Sequence, residues 1–553
     1  MATYEKFVDR ESFGKIVSRI RTTVETAFWG NNVFPISSPR EAYELARRSS
    51  GTVELTGMPV YEPEGQGLPK GSHVLLFNDG AVVGRCAAAR RIIGDPGVFV
   101  DEMASLLREA VYQTRYRHLY AAEAVIGLEK DFMVKAHLLI PEGHENMLYN
   151  WLLNFQYTNK IYNDMYKESR QYPDGDIYIF VDPEWKHPDY PLGLALFDPE
   201  HNCAAILGMR YFGELKKGTL TLAWGTAVRN GFASCHGGLK RYNLQGNRSF
   251  VMAVFGLSGS GKSTITHARH GNRYDITVLH DDAFVINLKD RFSIALEPAY
   301  FDKVQDYPMD CEDNKFIVTL QNCGAIQKEN GFIYAVTEDL RNGNGRAIKS
   351  KLWSPTRVDR IDEPINAVFW LMKDPTIPPV LKISDPILGA TMGATLATRR
   401  TTAERLAPGV DPNALVFEPY ANPFRTYPLS VDYERFKTLL SGGVDCYILN
   451  TGDFMGKKVK PHHTLQIIES IVEGRARFSP LLPLSKLEIM ELEEFPLDLK
   501  DVQYKKEIFA RMKDRIAFIK SRESERGGTD RLPRETLEAL QNVTKDLGYP
   551  SEA

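Results

Sequence analysis

Apolar residues recur at two different spacings along this chain, and the spacings predict both helices and strands. Residues 101–117 place apolar side chains such as Met103 and Leu107 on one face, which is typical of an amphipathic helix. Short apolar or alternating runs predict strands at 74–77, 120–126, 136–140 and 176–181. The first 230 residues therefore mix helices with strands, which favours an α/β fold.

A second segment opens near Gly231 and contains more glycine-marked turns. Residues 250–255 form an apolar run that predicts a buried strand, and a helix is predicted from Thr264 onward. A second short strand, at 277–279, ends at an Asp pair. The charged tail from residue 521, with a final helix at Arg534–Asp546, is expected to be a surface appendage with little chemistry.

Length and composition narrow the class of protein. A chain of 553 residues exceeds one compact core, so two large domains are expected. Apolar residues make up 43% and charged residues 25%, which is typical of folded water-soluble proteins. No apolar run approaches the roughly 20 residues of a membrane helix, and the N-terminus shows no secretion signal. We therefore expect a cytoplasmic protein without a membrane partner.

Charge and cysteine usage exclude further classes. A net charge of −3 argues against broad nucleic-acid binding. The six cysteines show no paired C-x-x-C spacing, so reduced thiols are expected rather than a zinc site or a disulfide framework. No repeat of 20–50 residues is present, which excludes a solenoid or a propeller.

The strongest motif is Gly-Leu-Ser-Gly-Ser-Gly-Lys-Ser at 256–263, which matches the phosphate-binding pattern G-x-x-x-x-G-K-[ST] between a predicted strand and a predicted helix. Its glycines let backbone N–H groups point inward, and the helix N-terminus adds a positive dipole end. Lys262 can reach the outer phosphates, and the Ser263 hydroxyl can ligate magnesium. The alternative is a glycine-rich turn that matches by chance. The predicted nucleotide-binding residues here are Gly256, Leu257, Ser258, Gly259, Ser260, Gly261, Lys262, Ser263 and Thr264.

Three weaker signals accompany this motif. Asp281-Asp282 end the next strand, where a carboxylate would meet the metal held by Ser263, although an Asp pair there can also form an Asx turn or a helix cap. The dilysine Lys216-Lys217 could be a solvated surface, and His236 could be structural. Their order around the phosphate-binding motif favours a shared site.

In that order, the motifs resemble those of phosphoenolpyruvate carboxykinases of the ATP-dependent type. The family's Y-x-G-E-M-K-K-G, A-S-M-H and D-D elements correspond to residues 211–218, 233–236 and 281–282. The GTP-dependent branch has a different phosphate loop built around a cysteine, so ATP is favoured. Fainter similarity covers residues 75–475. It includes 84–91 around Arg85, 297–303, 343–346 ending at Arg346, the lid-like 395–404, and the adenine-side 450–464.

The departures from the family pattern fall on substrate-facing and nucleotide-facing positions. Cys-Ala-Ala-Ala-Arg at 86–90 stands where the family has S-P-K-D-K, and of the family's T-E-N-T-R only Arg346 remains. Residues 457–461, Lys-Lys-Val-Lys-Pro, replace G-K-R-I-S. These changes leave the phosphate and metal residues intact, and they put the acceptor in doubt.

The resemblance implies a fold and a set of roles. It implies a two-domain α/β fold with an N-terminal substrate-side domain at 1–230 and a C-terminal nucleotide- and metal-binding domain at 231–553, with a lid at about 390–408. It further implies that ATP, Mn²⁺ and Mg²⁺ are the cofactors. Manganese would be held by Lys217 (as a neutral amine), His236 and Asp282, and magnesium by Ser263 together with the nucleotide.

The resemblance also implies the catalytic residues. Lys262, Lys216 and Arg346 would stabilise the transferring phosphoryl group, while Arg85 and Tyr211 would orient a carboxylate substrate such as oxaloacetate. Lys458 and Thr464 would contact the nucleotide. The lid would exclude water, because an enolate exposed to water is protonated to pyruvate.

Three functions remain open at this stage. The first is ATP-dependent interconversion of oxaloacetate and phosphoenolpyruvate with release of carbon dioxide. The second is a kinase on the same scaffold with another small acceptor, and the third is a nucleotide-binding regulator without turnover. All three predict small-molecule partners, no nucleic acid, and a monomer or small homo-oligomer.

Overall fold

The computed structural model describes residues 18–78, 86–257, 259–306, 308, 311–338, 344–399, 414–482 and 486–548. By internal packing the described chain divides into two units. The first contains the residues up to Thr226 together with Ala295–Pro355, and the second contains Ala227–Ile294, 356–399 and the residues from 414 onward. The predicted boundary near residue 230 lies close to the first division, whereas the grouping of Ala295–Pro355 with the first unit had no signal in the sequence.

Helices occur in both units. In chain order they are α1 (Arg19–Ala27), α2 (Pro39–Ala46), α3 (Val100–Gln113), α4 (Glu145–Asn154), α5 (Lys160–Glu168), α6 (Phe212–Arg229), α7 (Lys262–His267), α8 (Pro386–Ala394), α9 (Leu429–Ser441), α10 (Pro461–Val472), α11 (Val502–Ser521) and α12 (Arg534–Asp546). Among the described residues, no helix is both long enough and apolar enough to span a bilayer.

The strands of the first half of the chain are β1 (Val33–Ile36), β2 (Thr52–Pro59), β3 (His73–Phe77), β4 (Arg90–Ile92), β5 (Leu119–Glu129), β6 (Phe132–Pro141), β7 (Gln156–Tyr157), β8 (Ile177–Asp182), β9 (Leu194–Asp198), β10 (Cys203–Leu207), β11 (Phe232–Leu244), β12 (Arg248–Phe255), β13 (Asp275–His280), β14 (Ala283–Asn287) and β15 (Ser293–Ala295). Those of the second half are β16 (Tyr300–Lys303), β17 (Ile317–Gln321), β18 (Gly324–Gln327), β19 (Ile333–Val336), β20 (Arg346–Lys349), β21 (Arg360–Ile361), β22 (Ala367–Met372), β23 (Val380–Ile383), β24 (Ala397–Arg399), β25 (Leu415–Phe417), β26 (Asp445–Asn450), β27 (Asp453–Phe454), β28 (Lys457–Lys458), β29 (Ser479–Leu482) and β30 (Leu487–Ile489).

The first unit is built on two mixed sheets. One has the order β1-β5-β6-β8-β10-β9-β4, with β7 beside β5, and the other has the order β16-β20-β17-β3-β2. On one face of the larger sheet, α1 and α3 bury Ile20, Met103 and Leu107 against Phe180 and Leu196. This packing explains the helical apolar spacing of 101–117, and it confirms that prediction up to Gln113.

The second unit is built on one long mixed sheet. Its order is β21-β15-β14-β11-β12-β22-β26-β23-β30-β29, with β13 beside β11. At its centre, β12, β22 and β26 run parallel. Parallel strands covered on both faces are apolar throughout, and the run at 250–255 follows that rule.

Helices cover both faces of this parallel centre. On one face Ile265 of α7 and Ile467 of α10 pack against Val254 and Phe369. On the opposite face the rings of Phe255 and Phe436 (on α9) lie 5.3 Å apart. The second unit therefore has three layers around the strand that precedes the glycine-rich motif.

The expectation that the C-terminal tail is a surface appendage is wrong. Asp530, Leu540 and Val543 are at most 2% exposed. Tyr433 of α9 donates a hydrogen bond of 2.7 Å to Glu535, which joins α12 to the second unit. The apolar residues of 534–546 form a stripe at helical spacing, and that stripe is buried rather than solvated.

We predict that Leu540→Ala lowers the free energy of unfolding by about 2–5 kcal/mol, because it removes a fully buried side chain and leaves a cavity. Urea denaturation of the full chain measures this. Glu538→Ala, on the exposed face of the same helix, should change the value by no more than about 0.5 kcal/mol. Equal losses in the two variants would contradict the buried position of α12.

Candidate functional site

Strand β11 brings the predicted metal and phosphate residues together. Its register pairs His236 with Ala283 on β14, Gly237 with Phe255 on β12, and Leu239 with His280 on β13. In addition, the Gly237 N–H donates to the Asp282 carbonyl at 3.1 Å. One strand therefore brings the histidine, the Asp pair and the start of the glycine-rich segment to a common point.

His236, Asp282 and Lys262 form the centre of this site. Nε2 of His236 lies 3.0 Å from Oδ1 of Asp282, and Nζ of Lys262 lies 3.8 Å from the same oxygen. All three side chains are largely buried, with about a tenth of each exposed. Three residues predicted from scattered positions are thus neighbours in space.

The backbone sets the tautomer of His236. Its Nδ1 contacts the carbonyl of Ala421, which only accepts hydrogen bonds, so Nδ1 carries a proton. The remaining nitrogen, Nε2, faces a carboxylate oxygen that is also an acceptor. Two acceptors attract each other across 3.0 Å only when a proton or another cation lies between them.

These residues fit a divalent cation. An imidazole that donates through Nδ1 presents its Nε2 lone pair, and outer hydrogen bonds of this kind orient metal-bound histidines. Within the described parts of the chain, no three His, Cys, Asp or Glu side chains converge on one point. The predicted role of Lys217 as a third ligand stays a prediction.

The glycine-rich segment joins β12 to α7 in a shape that needs its glycines. Gly259 and Gly261 have φ values of 79° and 91°, which side chains rarely adopt. A Cβ on Gly256 would lie 2.4 Å from the Ser260 hydroxyl and 2.8 Å from Leu371. Ser258 lies outside the described residues.

The N-terminus of α7 begins at Lys262, so Ser263 and Thr264 occupy its first turn. Leu257 is half-buried and Ser260 is buried, while Thr264 is exposed. Backbone N–H groups in a first helical turn lack partners within the helix, and such groups bind anions well. The segment thus has the local features of an anion site.

Gly238 on β11 allows α7 to approach the sheet. A Cβ at this position would lie 2.0 Å from the Thr266 hydroxyl oxygen. The backbone of α7 is further held by Lys240, which is fully buried and donates to the carbonyls of Ile265 and Ala268 at 2.7 and 2.9 Å. Burial lowers the pKa of Lys240 to about 7.

Asp281, the first aspartate of the pair, is charged although it is buried. Burial alone would raise its pKa, but His267, Lys262 and His280 hold that pKa well below its usual value. Nε2 of His267 lies 3.4 Å from Oδ2 of Asp281. Asp281 therefore keeps its negative charge next to His267, the last residue of α7.

The two nucleotide-facing residues predicted farther along the chain lie in different settings. Lys458 is exposed on the short strand β28, and Thr464 is buried in the first turn of α10. No contact between either residue and the glycine-rich segment is observed among the described residues. Their nucleotide contacts stay predictions.

In the first unit, three predicted catalytic residues surround one aromatic ring. Nε of Arg346 donates to the Tyr211 hydroxyl at 3.1 Å. The ring of Phe301 has Arg346 at 6.0 Å and Lys216 at 5.2 Å, and it packs against Tyr211. The positive charges of Arg346 and Lys216 thus both lie against the Phe301 ring, and Arg346 also contacts the Tyr211 hydroxyl.

Lys216 is also held by a buried carboxylate. Its Nζ lies 3.0 Å from Glu297 Oε1, and both side chains are fully buried. Asn154 donates to the other oxygen of Glu297 at 2.6 Å. A buried ion pair is retained only when hydrogen bonds satisfy its remaining atoms, and Asn154 does this here. Lys217, one residue later on α6, is half-buried with Nζ 5.9 Å from the Trp224 ring.

Several residues predicted to face the substrate either lie outside the described residues or are held in other contacts. Arg85 lies outside the described residues, as do residues 400–413, which contain the second half of the predicted lid. Arg90, at the end of the altered stretch, lies 2.9 Å from Glu214 and 5.0 Å from the Phe197 ring. Arg90 is thus committed to a buried ion pair.

Four residues that contact these sites were not predicted from the sequence: Glu297, Phe301, Lys240 and Ala421. Glu297 and Phe301 stood inside a stretch already noted for its similarity, so their neighbourhood had a signal. The Ala421 carbonyl is a backbone atom, and Lys240 is a lysine within a strand. Neither has a sequence signature.

Comparison with known proteins gives a consistent result. The sequence model of the family described as phosphoenolpyruvate carboxykinase matches residues 73–503. A phosphoenolpyruvate carboxykinase (ATP) of Aeropyrum pernix is 26% identical over 298 residues, which is 52% of this chain and 59% of that protein. A phosphoenolpyruvate carboxykinase (ATP) of Dictyostelium discoideum is 22% identical over 212 residues, which is 35% of this chain and 36% of that protein. The chain thus aligns with less than two thirds of either relative.

We predict that Gly238→Ala displaces α7, because the added methyl group would overlap the Thr266 hydroxyl. Hydrogen–deuterium exchange of a peptide covering 256–268 should become faster by about tenfold or more, in line with a local cost of about 1–3 kcal/mol for overpacking. Gly65→Ala is the matched control, since nothing lies within 4 Å of its added Cβ. Unchanged exchange in Gly238→Ala would contradict the close approach.

We also predict a pH effect from Lys240. Its pKa is about 7 in the folded chain, and the ordinary value near 10.4 applies when unfolded, so the unfolded chain binds more protons between these values. Stability should rise from pH 7 to 9 by up to about 1.4 kcal/mol per pH unit from this group. Lys240→Met should lose that part of the slope. If the urea midpoints of the wild-type protein and of Lys240→Met change with pH by the same amount across this range, the assignment is refuted.

Proposed function

Since the chain belongs to the phosphoenolpyruvate carboxykinase family, in its ATP-dependent type, we propose that it converts oxaloacetate and ATP to phosphoenolpyruvate, ADP and carbon dioxide. The observation that carries this proposal is the convergence of His236, Asp282 and Lys262 beside the glycine-rich segment. A kinase active site needs a cation held next to a polyphosphate cradle, and this site has residues for both. We expect the enzyme to act on small molecules in the cytoplasm.

The nucleotide phosphates would bind along the backbone N–H groups of residues 256–264. Lys262 would contribute positive charge to the outer phosphates while Asp282 limits where its ammonium group lies. Ser263, in the first turn of α7, would hold the magnesium that accompanies ATP. This use of backbone dipoles and one lysine is the main means of stabilising charge in phosphoryl transfer.

His236 and Asp282 would hold manganese, with Lys217 as the proposed third ligand. Bound there, the metal would act as a Lewis acid toward the substrate oxygens. His236 would ligate through Nε2, because its Nδ1 proton is directed at the Ala421 carbonyl. For Lys217 to ligate, its amine must be neutral, which a nearby dication favours.

On the substrate side, Tyr211, Arg346 and Lys216 would bind the carboxylate and the phosphoryl group. The hydrogen bond from Arg346 to the Tyr211 hydroxyl fixes both groups relative to each other. Glu297 holds the Lys216 side chain in place through its buried ion pair. Fixed positive charge costs no reorganisation when negative charge develops on the transferring group. Arg85 is proposed as a further carboxylate ligand from its motif alone.

A kinase with a different small acceptor is the second candidate. It is favoured by Arg90, which ends the altered stretch 86–90 and is occupied by Glu214 rather than available for a substrate. Measuring ATP consumption against a set of small carboxylic acids and sugars distinguishes the candidates. Activity with oxaloacetate alone would remove this one, and turnover of any kind would exclude a regulator without catalysis.

We predict that the purified chain forms oxaloacetate from phosphoenolpyruvate, ADP and bicarbonate when Mn²⁺ and Mg²⁺ are present. Oxaloacetate is measured by its reduction with NADH and malate dehydrogenase. Lys262→Ala should lower kcat by at least about 100-fold, the loss typical of a removed charge-stabilising group. Lys520→Ala, an exposed change on α11, should leave it unaltered. Folded wild-type protein without any activity would refute the carboxykinase proposal.

A further inference from the structure

The segment that precedes α9 has an unusual backbone. Tyr420 and Ala421 have φ values of 53° and 52°, so two consecutive residues with side chains adopt the left-handed region. Such a residue is strained and persists only where the surrounding structure holds it. Backbone strain of this kind is concentrated at functional sites.

The consequence of this backbone is the direction of one carbonyl. The Ala421 carbonyl points at Nδ1 of His236, and the ring of Phe424 meets the imidazole edge-on at 5.4 Å. The imidazole is therefore held both by a hydrogen bond and by an aromatic contact from the same segment. With the ring fixed, Nε2 is aimed at Asp282.

Two contacts hold Tyr420, the first strained residue, in place. The Tyr420 ring stacks on Phe436 of α9 with centroids 4.7 Å apart and an interplanar angle of 12°. Its hydroxyl donates to the Ala390 carbonyl of α8 at 2.9 Å. The Tyr420 side chain is therefore fixed at both ends, between two helices.

The C-terminal tail supplies Asp530, which holds the other end of the same segment. Asp530 is 2% exposed, and it accepts the Leu429 N–H at 3.0 Å and the Arg425 guanidinium at 3.2 Å. These two contacts hold the end of the segment 420–429 that leads into α9. Asp530 lies beyond residue 503, where the match to the family model ends.

We propose that the segment 420–429, locked by Asp530 and Tyr420, is a positioning device that sets the tautomer and orientation of His236 for a divalent cation. In this proposal Asp530 and Tyr420 both act through the Ala421 carbonyl. This rests on the proposed function, in which His236 holds manganese. Partners of this outer kind change metal affinity by about 10–100-fold when they are removed.

The direct test is Mn²⁺ affinity of the full chain without nucleotide, measured from the electron paramagnetic resonance signal of free Mn²⁺. Tyr420→Phe should weaken Mn²⁺ binding by about tenfold or more, because it releases the carbonyl segment from α8. Tyr433→Phe is the matched control. It also removes one hydroxyl hydrogen bond, to Glu535, but it leaves the 420–429 segment untouched.

Asp530→Asn gives a second, independent variant. It removes the charge that faces Arg425 and should weaken Mn²⁺ binding to a similar degree. Glu535→Gln serves as its control, since Glu535 joins α12 to α9 through Tyr433 and Lys437. Affinity for MgATP, measured separately with a fluorescent analogue, should stay within about twofold in all four variants. A loss of Mn²⁺ affinity with unchanged MgATP affinity distinguishes misplacement of His236 from a general loss of structure.

The outcomes are distinguishable. Wild-type affinity for Mn²⁺ in both Tyr420→Phe and Asp530→Asn would overturn the inference and leave the proposed function standing. Equal weakening in each variant and its control, in proportion to their melting temperatures, would also overturn it. A wild-type chain that binds no Mn²⁺ at all would remove the proposed metal centre, and the inference with it.

Discussion

The candidate site depends on one constraint, the hydrogen-bonded register of β11 with three partner strands. Because β11 pairs with β12, β13 and β14, His236 is fixed next to Asp282, and Gly237 is fixed next to the strand that leads into the glycine-rich segment. A shift of one residue would turn His236 to the other face of the sheet and bring Cys235 into its place. The chemistry of the second unit therefore depends on strand pairing as much as on the side chains.

In each unit, a largely buried lysine of the candidate site lies beside a carboxylate. In the first unit Lys216 is compensated by Glu297, and in the second unit Lys262 is compensated by Asp282. The carboxylate stabilises the positive charge of the buried lysine before a negatively charged substrate binds. Fixed ion pairs of this kind prepare positive charge in advance, and such preparation is the basis of electrostatic catalysis.

Local chemistry was predictable from the sequence, and long-range grouping was not. The strand at 250–255, the helix at 101–117 and the residues of the glycine-rich segment follow from periodicity and motif. The proximity of His236 to Asp282 was predicted only from the family resemblance. The spacing of residues in the sequence does not reveal which strands pair with β11. The buried tail was misjudged since Asp530 looks like any charged loop residue, and two of its partners, Arg425 and Leu429, lie about a hundred residues away in sequence.

The most direct test of this account is a crystal structure of the chain soaked in Mn²⁺, with anomalous diffraction recorded at the manganese absorption edge. The account predicts one strong anomalous peak in bonding contact with Nε2 of His236 and Oδ1 of Asp282, while Nδ1 still faces the Ala421 carbonyl. A direct His236–Asp282 hydrogen bond without a peak, at Mn²⁺ concentrations that saturate related sites, would contradict it.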